Sequence, residues 1–199
     1  MAADAERPAL LAGPEELDRL ATWLAARLDA DHPDGVTLVG VLKGCTLLVA
    51  DLARRLTVPA RLELLAGAPH DGTTGRTRVV KDLDRSIRDE DVVVVAGIVD
   101  TGFTADFVLR HLAAGDPRRL RLCTLVDKRA RRILPIRVHY AAMDAPDAFL
   151  IGYGLVQGLA EAIAFGQRAG LDMAKVLEVI GKGAAQSWQM DNRGKTMIE

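Results

Sequence analysis

Val92-Val93-Val94-Val95-Ala96-Gly97-Ile98-Val99-Asp100-Thr101-Gly102-Phe103-Thr104 is the stretch that decides the fold. An apolar, β-branched run breaks abruptly into Asp-Thr-Gly-Phe-Thr, and a helical pattern follows. Val and Ile are stiff at χ1 and sit well on a pleated surface; a run of them without polar alternation predicts a strand buried on both faces of a parallel sheet. The loop after it supplies a carboxylate (Asp100), two hydroxyls (Thr101 and Thr104), a glycine and the first N–H groups of a new helix. Open α/β sheets bind ligands beyond the carboxyl ends of their strands, and a helix N-terminus favours phosphate. Gly102 permits close backbone approach, and Asp100 stands beside the bound group as a candidate base. Asp and Thr are also the residues that cap helices, so the loop alone leaves a phosphate site and a plain strand-to-helix turn both open.

Upstream, Pro14 suits a first helical position, Leu17, Leu20, Leu24 and Leu28 recur at helical spacing, and His32-Pro33-Asp34-Gly35 ends that helix. Val36–Leu42 reads as a buried strand. Lys43-Gly44 turns the chain into a helix over Cys45–Leu56, with Leu47, Leu48, Leu52 and Leu56 inward. Arg61–Leu65 is a strand candidate, and Ala66–Arg78, rich in Gly, Thr and Pro, reads as a long loop. Val79–Leu83 returns to strand-like sequence and leads through a charged turn to Val92.

Downstream, a helix is expected over Thr104–Ala114 and a strand over Leu120–Val126, ending in Asp127-Lys128. Arg129, Arg131 and Arg132 read as a solvated basic turn. Ile136–Met143 and Phe149–Tyr153 are weaker strands. After Gly154 the pattern is helical only, over Gly158–Ala169 and Asp172–Ile180, with one more turn or two at Ala184–Met190. Strands alternating with helices predict an α/β fold with a parallel sheet of βαβ units, and the tail an all-helical appendage.

The chain has 199 residues, 49% hydrophobic and only 4% aromatic, so the core should be aliphatic. A formal net charge of −1 gives no overall basic field for nucleic acid. No apolar run reaches the ~18 residues of a membrane span, and Met1–Pro8 lacks the layout of a signal peptide. A soluble, cytoplasmic protein with no membrane partner is expected. Cys45 and Cys123 lie in apolar surroundings without metal-ligand spacing, as buried free thiols do.

Other strand-end groups could serve a ligand. Leu42-Lys43-Gly44 can turn amides and an ammonium toward a polyanion, and Lys128 can donate to a ligand oxygen or lie on the surface. Phe149 and Tyr153 can stack on a flat ligand or fill the core.

Five blocks in order resemble the hypoxanthine-guanine phosphoribosyltransferases, over about residues 10–155: Val39-Gly40-Val41-Leu42-Lys43-Gly44, Val80-Lys81-Asp82-Leu83-Asp84, Val99-Asp100-Thr101-Gly102-Phe103-Thr104, Cys123-Thr124-Leu125-Val126-Asp127-Lys128 and Phe149-Leu150-Ile151-Gly152-Tyr153-Gly154-Leu155. The resemblance implies a parallel-sheet type I phosphoribosyltransferase fold over 1–155. It implies purine salvage from phosphoribosyl pyrophosphate, with Mg²⁺ as cofactor, by a homo-oligomer. Asp100 would be the general acid/base, and Thr101, Gly102, Phe103 and Thr104 the 5′-phosphate loop. Leu42, Lys43 and Gly44 would hold pyrophosphate, Lys128 would read the purine oxygen, Phe149 would stack on the ring and the Ile151 backbone would meet its edge. The family's two acidic residues ahead of this loop, which hold the ribose hydroxyls and organise the metal, are replaced by Ala96 and Gly97. Its mobile-loop Ser-Tyr pair is replaced by Ala68-Pro69, and the acidic residue after Gly-Tyr-Gly-Leu by Val156. No metal ligand is assigned, and impaired turnover is expected. The alternative is a non-catalytic protein of the same fold that binds nucleotide or phosphate.

The tail, over 156–199, is similar to the C-terminal helical domain of β-hydroxyacid dehydrogenases such as 3-hydroxyisobutyrate dehydrogenase. Val156-Gln157-Gly158-Leu159-Ala160-Glu161-Ala162 and Gly183-Ala184-Ala185-Gln186-Ser187-Trp188 carry that resemblance, continued by Asp191-Asn192-Arg193-Gly194. The chain thus reads as two families joined near Gly154–Gln157, a chimeric sequence. A dehydrogenase fragment is the third reading.

Overall fold

The valine run forms the strand Asp91–Val99, at the centre of a six-stranded sheet. A computed structural model describes residues 11–42, 44–69, 77–145, 147, 150 and 167–180. In chain order the elements are α1 (Pro14–Asp31), β1 (Val36–Leu42), α2 (Thr46–Arg55), β2 (Ala60–Pro69), β3 (Thr77–Lys81), β4 (Asp91–Val99), α3 (Phe103–Ala113), β5 (Arg119–Asp127), β6 (Tyr140–Asp144) and α4 (Met173–Ile180). A single 3₁₀ turn, Arg129–Arg131, follows β5. The chain divides into two units, Met1–Asp147 and Ala148–Glu199. In the second, the described residues include α4, entered through Gly170 at φ +75°, in keeping with the helix expected over 172–180.

The strand order is β3-β2-β1-β4-β5-β6. β2, β1, β4, β5 and β6 are parallel, with Gly40 of β1 opposite Val95 of β4 and Val94 opposite Leu122 of β5. From β1 the chain moves outward to β2 on one side, then returns to place β4 on the other. β1 and β4 therefore flank a topological switch point, where the loops leaving their carboxyl ends diverge and open a crevice.

The sheet is not wholly parallel. β3 pairs antiparallel with β2, Gly67 opposite Val79 and Pro69 opposite Thr77, across a register shift between Ala66 and Gly67. Both flanks of the expected loop Ala66–Arg78 are thus strand, because an edge ribbon draws its order from its partner rather than from an apolar period. Proline is tolerated there, where a ladder donor is dispensable. β3 also starts earlier than Val79, and β6 is confined to 140–144, leaving Ile136–His139 outside any strand. All but Leu150 of the strand expected over Phe149–Tyr153, residues 158–166 of the helix expected over Gly158–Ala169, and the turn expected at Ala184–Met190 lie outside the described residues.

One face of the sheet buries Val39, Leu65, Val92, Val94 and Leu122 against Ala105, Val108 and Leu112 of α3. Separately, α1 buries Ala21, Leu24, Ala25 and Leu28 and packs on α2. α2 turns Leu48, Val49 and Leu52 inward, while Leu47 is 45% exposed, contrary to expectation. The inward set follows i, i+1, i+4, which carries Leu47 round to the solvent side. Gly40 is where α2 comes close: a Cβ there would lie 3.0 Å from Cys45 Sγ and from Val49 Cγ2. Cys45 and Cys123 are buried free thiols, each pushed up to about 12 by burial. Among the described residues no helix is long and apolar enough to cross a membrane.

Candidate active site

Asp100 is the first residue beyond β4, and Lys128 the first beyond β5. The register that sets Val99 opposite Asp127 continues one step further, since the Lys128 amide donates to the Val99 carbonyl at 2.9 Å. Parallel pairing thus brings the two side chains together, with Lys128 Nζ 3.7 Å from Asp100 Oδ2. Lys128 is only 3% exposed, so it is a buried cation at a strand end and not a surface lysine.

Gly102 caps α3 in the left-handed region at φ +98°, and its carbonyl takes the first helical bond from the Asp106 amide at 2.8 Å. An added Cβ would strain that conformation and sit 3.1 Å from Arg132 Cδ. No side chain caps the helix, so neither Asp100 nor the threonines are used up as the plain-turn reading would have it. Asp100, Thr101, Gly102 and Thr104, with Val41 and Ala96, line a cavity of about 120 Å³ at the switch point. Phe103 is exposed and opens the helix.

Leu42 ends β1 and Gly44 begins the turn into α2; Lys43 lies outside the described residues. The turn after β1 lies close against the backbone of β4. A Cβ at Gly97 would come 2.8 Å from the Gly44 carbonyl oxygen, which leaves no room for a side chain at 97 unless the Gly44 turn shifts. Thr124 Oγ1 lies 3.2 Å from the Gly97 carbonyl and 3.0 Å from that of Val126 as a donor. Phe149 and Ile151 fall outside the described residues.

The basic turn is not uniformly solvated. Arg129 is exposed and pairs with Asp127 and Asp144, each at 3.2 Å. Arg131 bridges Asp100 Oδ1 and Asp147 Oδ1, each at 3.3 Å. Arg132 is tucked in: its side chain is 14% exposed, pairs with the buried Asp127 and donates from Nε to the Asp100 carbonyl at 3.0 Å. Residue spacing gives no sign of this, because one of its partners lies on another strand-end loop.

The chain is similar to known proteins. A family model described as the phosphoribosyl transferase domain matches residues 7–157. A second, for the NAD-binding region of NADP-dependent 3-hydroxyisobutyrate dehydrogenase, matches residues 149–199. The hypoxanthine-guanine phosphoribosyltransferase of Mycobacterium avium is 39% identical over 129 residues, 63% of this chain and 64% of its own length. The chain thus spans just under two thirds of that relative. The hypoxanthine phosphoribosyltransferase of Salmonella typhimurium is 35% identical over 128 residues, covering 63% of this chain and 72% of that protein. The crystal structure of a hypoxanthine-guanine phosphoribosyltransferase from Bacillus anthracis superposes with a TM-score of 0.71 at 30% identity, over 75% of this chain and 91% of that one. The Trypanosoma cruzi hypoxanthine phosphoribosyltransferase in complex with the product IMP gives 0.67 at 32% identity, over 71% and 82%.

Proposed function

The chain belongs to the phosphoribosyl transferase domain family, and on that premise we propose that it is a purine phosphoribosyltransferase acting on hypoxanthine or guanine. The observation that carries this is the placement of Asp100 and Lys128 beside a glycine-opened helix N-terminus, at the switch point of a parallel sheet. Relatives named for the same activity support it.

In this reading the 5′-phosphate sits on Thr101, Gly102, Phe103 and Thr104, while Leu42, Lys43 and Gly44 face the pyrophosphate. Lys128 donates to the exocyclic oxygen of the purine, which favours hypoxanthine and guanine over a base that presents an amino group there. Phe149 stacks on the ring and Ile151 meets its edge. The C1–oxygen bond breaks and pyrophosphate leaves with the electron pair. Purine N9 bonds to C1, and the N7 proton passes to Asp100. As C1 becomes cation-like, negative charge gathers on the leaving pyrophosphate and must be stabilised there, a task this reading gives to the Leu42-Lys43-Gly44 turn, while Lys128 and Arg131 flank the Asp100 carboxylate.

The resemblance implies Mg²⁺, but the described residues do not fit a metal held by protein carboxylates. Ala96 and Gly97 stand where acidic residues are expected, and Gly97 has no room for a side chain. Asp100 faces Lys128 and Arg131, and Asp127 faces Arg129 and Arg132. Slow turnover follows. A spectrophotometric assay with hypoxanthine, guanine, phosphoribosyl pyrophosphate and Mg²⁺ tests the proposal. Nucleotide formation that vanishes in Asp100→Asn supports it, and no formation at any enzyme concentration overturns it. A homo-oligomer remains part of the proposal, checked by light scattering.

A further inference from the structure

Arg132 holds the Asp100–Gly102 loop from behind. Its Nε donates to the Asp100 carbonyl at 3.0 Å, its Nη1 to the Ile136 carbonyl at 3.4 Å, and its Nη2 to the Asp127 carboxylate. The two residues after it continue the strap: the Ile133 and Leu134 amides donate to the Thr101 carbonyl at 2.9 and 3.1 Å. The carbonyls of Asp100 and Thr101 are therefore both turned toward 132–134. In a trans peptide the following N–H points opposite to the carbonyl, so the amides of Thr101 and Gly102 are aimed away from the strap. Gly102, where the Arg132 Cδ would crowd a side chain, keeps this arrangement close-packed.

We propose that Arg132 is a positioning residue: by holding the Asp100 carbonyl, with its guanidinium anchored on Asp127, it orients the Thr101 and Gly102 amides to receive a phosphomonoester. This rests on the phosphoribosyl reading of the loop. The planar fork suits the task, since Nε and Nη2 donate from fixed positions in one rigid plane, which a flexible lysine stem does not supply.

The test compares the full chain with Arg132→Met and Arg132→Lys, the second keeping a cation beside the buried Asp127. In both, amide hydrogen exchange at Thr101–Asp106 should speed at least tenfold while that of α1 and β1 is unchanged. By calorimetry, inosine 5′-monophosphate should bind about tenfold more weakly, the worth of one hydrogen bond from a charged group, with hypoxanthine binding unaltered. Exchange that is unchanged, or that speeds equally throughout the domain, overturns the proposal. So does an equal loss for nucleotide and base. A wild-type chain that binds neither sinks the purine-transfer reading; exchange at Thr101–Asp106 then decides by itself whether Arg132 holds the loop.

Discussion

β4 has a carboxylate at each end, and the two are treated in opposite ways. Asp91, at its start, has a side chain 1% exposed that is met by Arg118 Nε at 2.8 Å, by the Arg119 guanidinium and by His32 Nδ1 at 3.2 Å. The Arg119 hydrogen bond, above all, holds that carboxyl well below the usual carboxylate range. Beside it, Tyr140 links His32 Nε2 at 3.2 Å with Asp31 at 2.8 Å and Arg121 at 2.5 Å. Asp100, just past the other end, is 40% exposed, with cations at 3.3 and 3.7 Å, and its Oδ1 has no hydrogen-bond partner. A carboxylate whose lone pairs are filled serves the fold, while one held near cations but under-bonded is available to a ligand.

The sharpest way to break this contrast is to remove each carboxylate in turn. Asp100→Asn should cost about 10²–10⁴-fold in turnover, as loss of a general acid/base does, with little change in melting temperature. Initial rates and a thermal melt check both halves, and an active Asp100→Asn would end the comparison. Asp91→Asn should do the reverse, costing about 3 kcal/mol in urea unfolding because His32 and two arginines lose their charged hydrogen-bond partner. Activity per folded molecule should persist. A smaller effect tests the crevice: Gly97→Asp should cost about 1–3 kcal/mol through overpacking against Gly44, and Ala96→Glu less, both read from unfolding midpoints. Smallest is the pH response of His32. Burial lowers its pKa below 6.5, with the Asp91 hydrogen bond pulling the other way and Arg119 and Arg121 adding to the fall. The unfolded chain then binds the proton first. Stability should be flat above pH 6.5 and decline below it, by at most about 1.4 kcal/mol per pH unit for one proton. Melts between pH 7.5 and 5.5 should show that slope in the wild type and a shallower one in His32→Gln.

β4 was legible because a nearly unbroken aliphatic run leaves no other face to choose, β1 and β5 because aliphatic residues still dominate around Thr37, Arg121 and Thr124, and α1 because its leucines keep one period along its length. The β2–β3 ribbon was legible only in part, at Arg61–Leu65 and Val79–Lys81, since Ala66–Pro69 acquires its conformation from the strand beside it. Leu47 misled because α2 is covered on a narrow stripe, which local spacing does not reveal. Asp100 to Thr104 stood out as a contiguous chemical change. Lys128 was ambiguous until register placed it beside Asp100. Arg132 was read as solvent-facing because its value lies in contacts 32 residues back along the chain, where pattern has no reach.

The Gly44–Gly97 approach also orders what mutation can do. With a carbonyl oxygen 2.8 Å from where a Cβ would lie, position 97 is closed to every other residue while the Gly44 turn stays put, whereas position 96 already carries a Cβ. An acidic pair therefore has to be assembled in sequence: the turn after β1 yields first, and only then does a carboxylate at 97 become tolerable. A turn and a strand distant in the chain share one permission, and the effect of a substitution in either depends on what the other has already become.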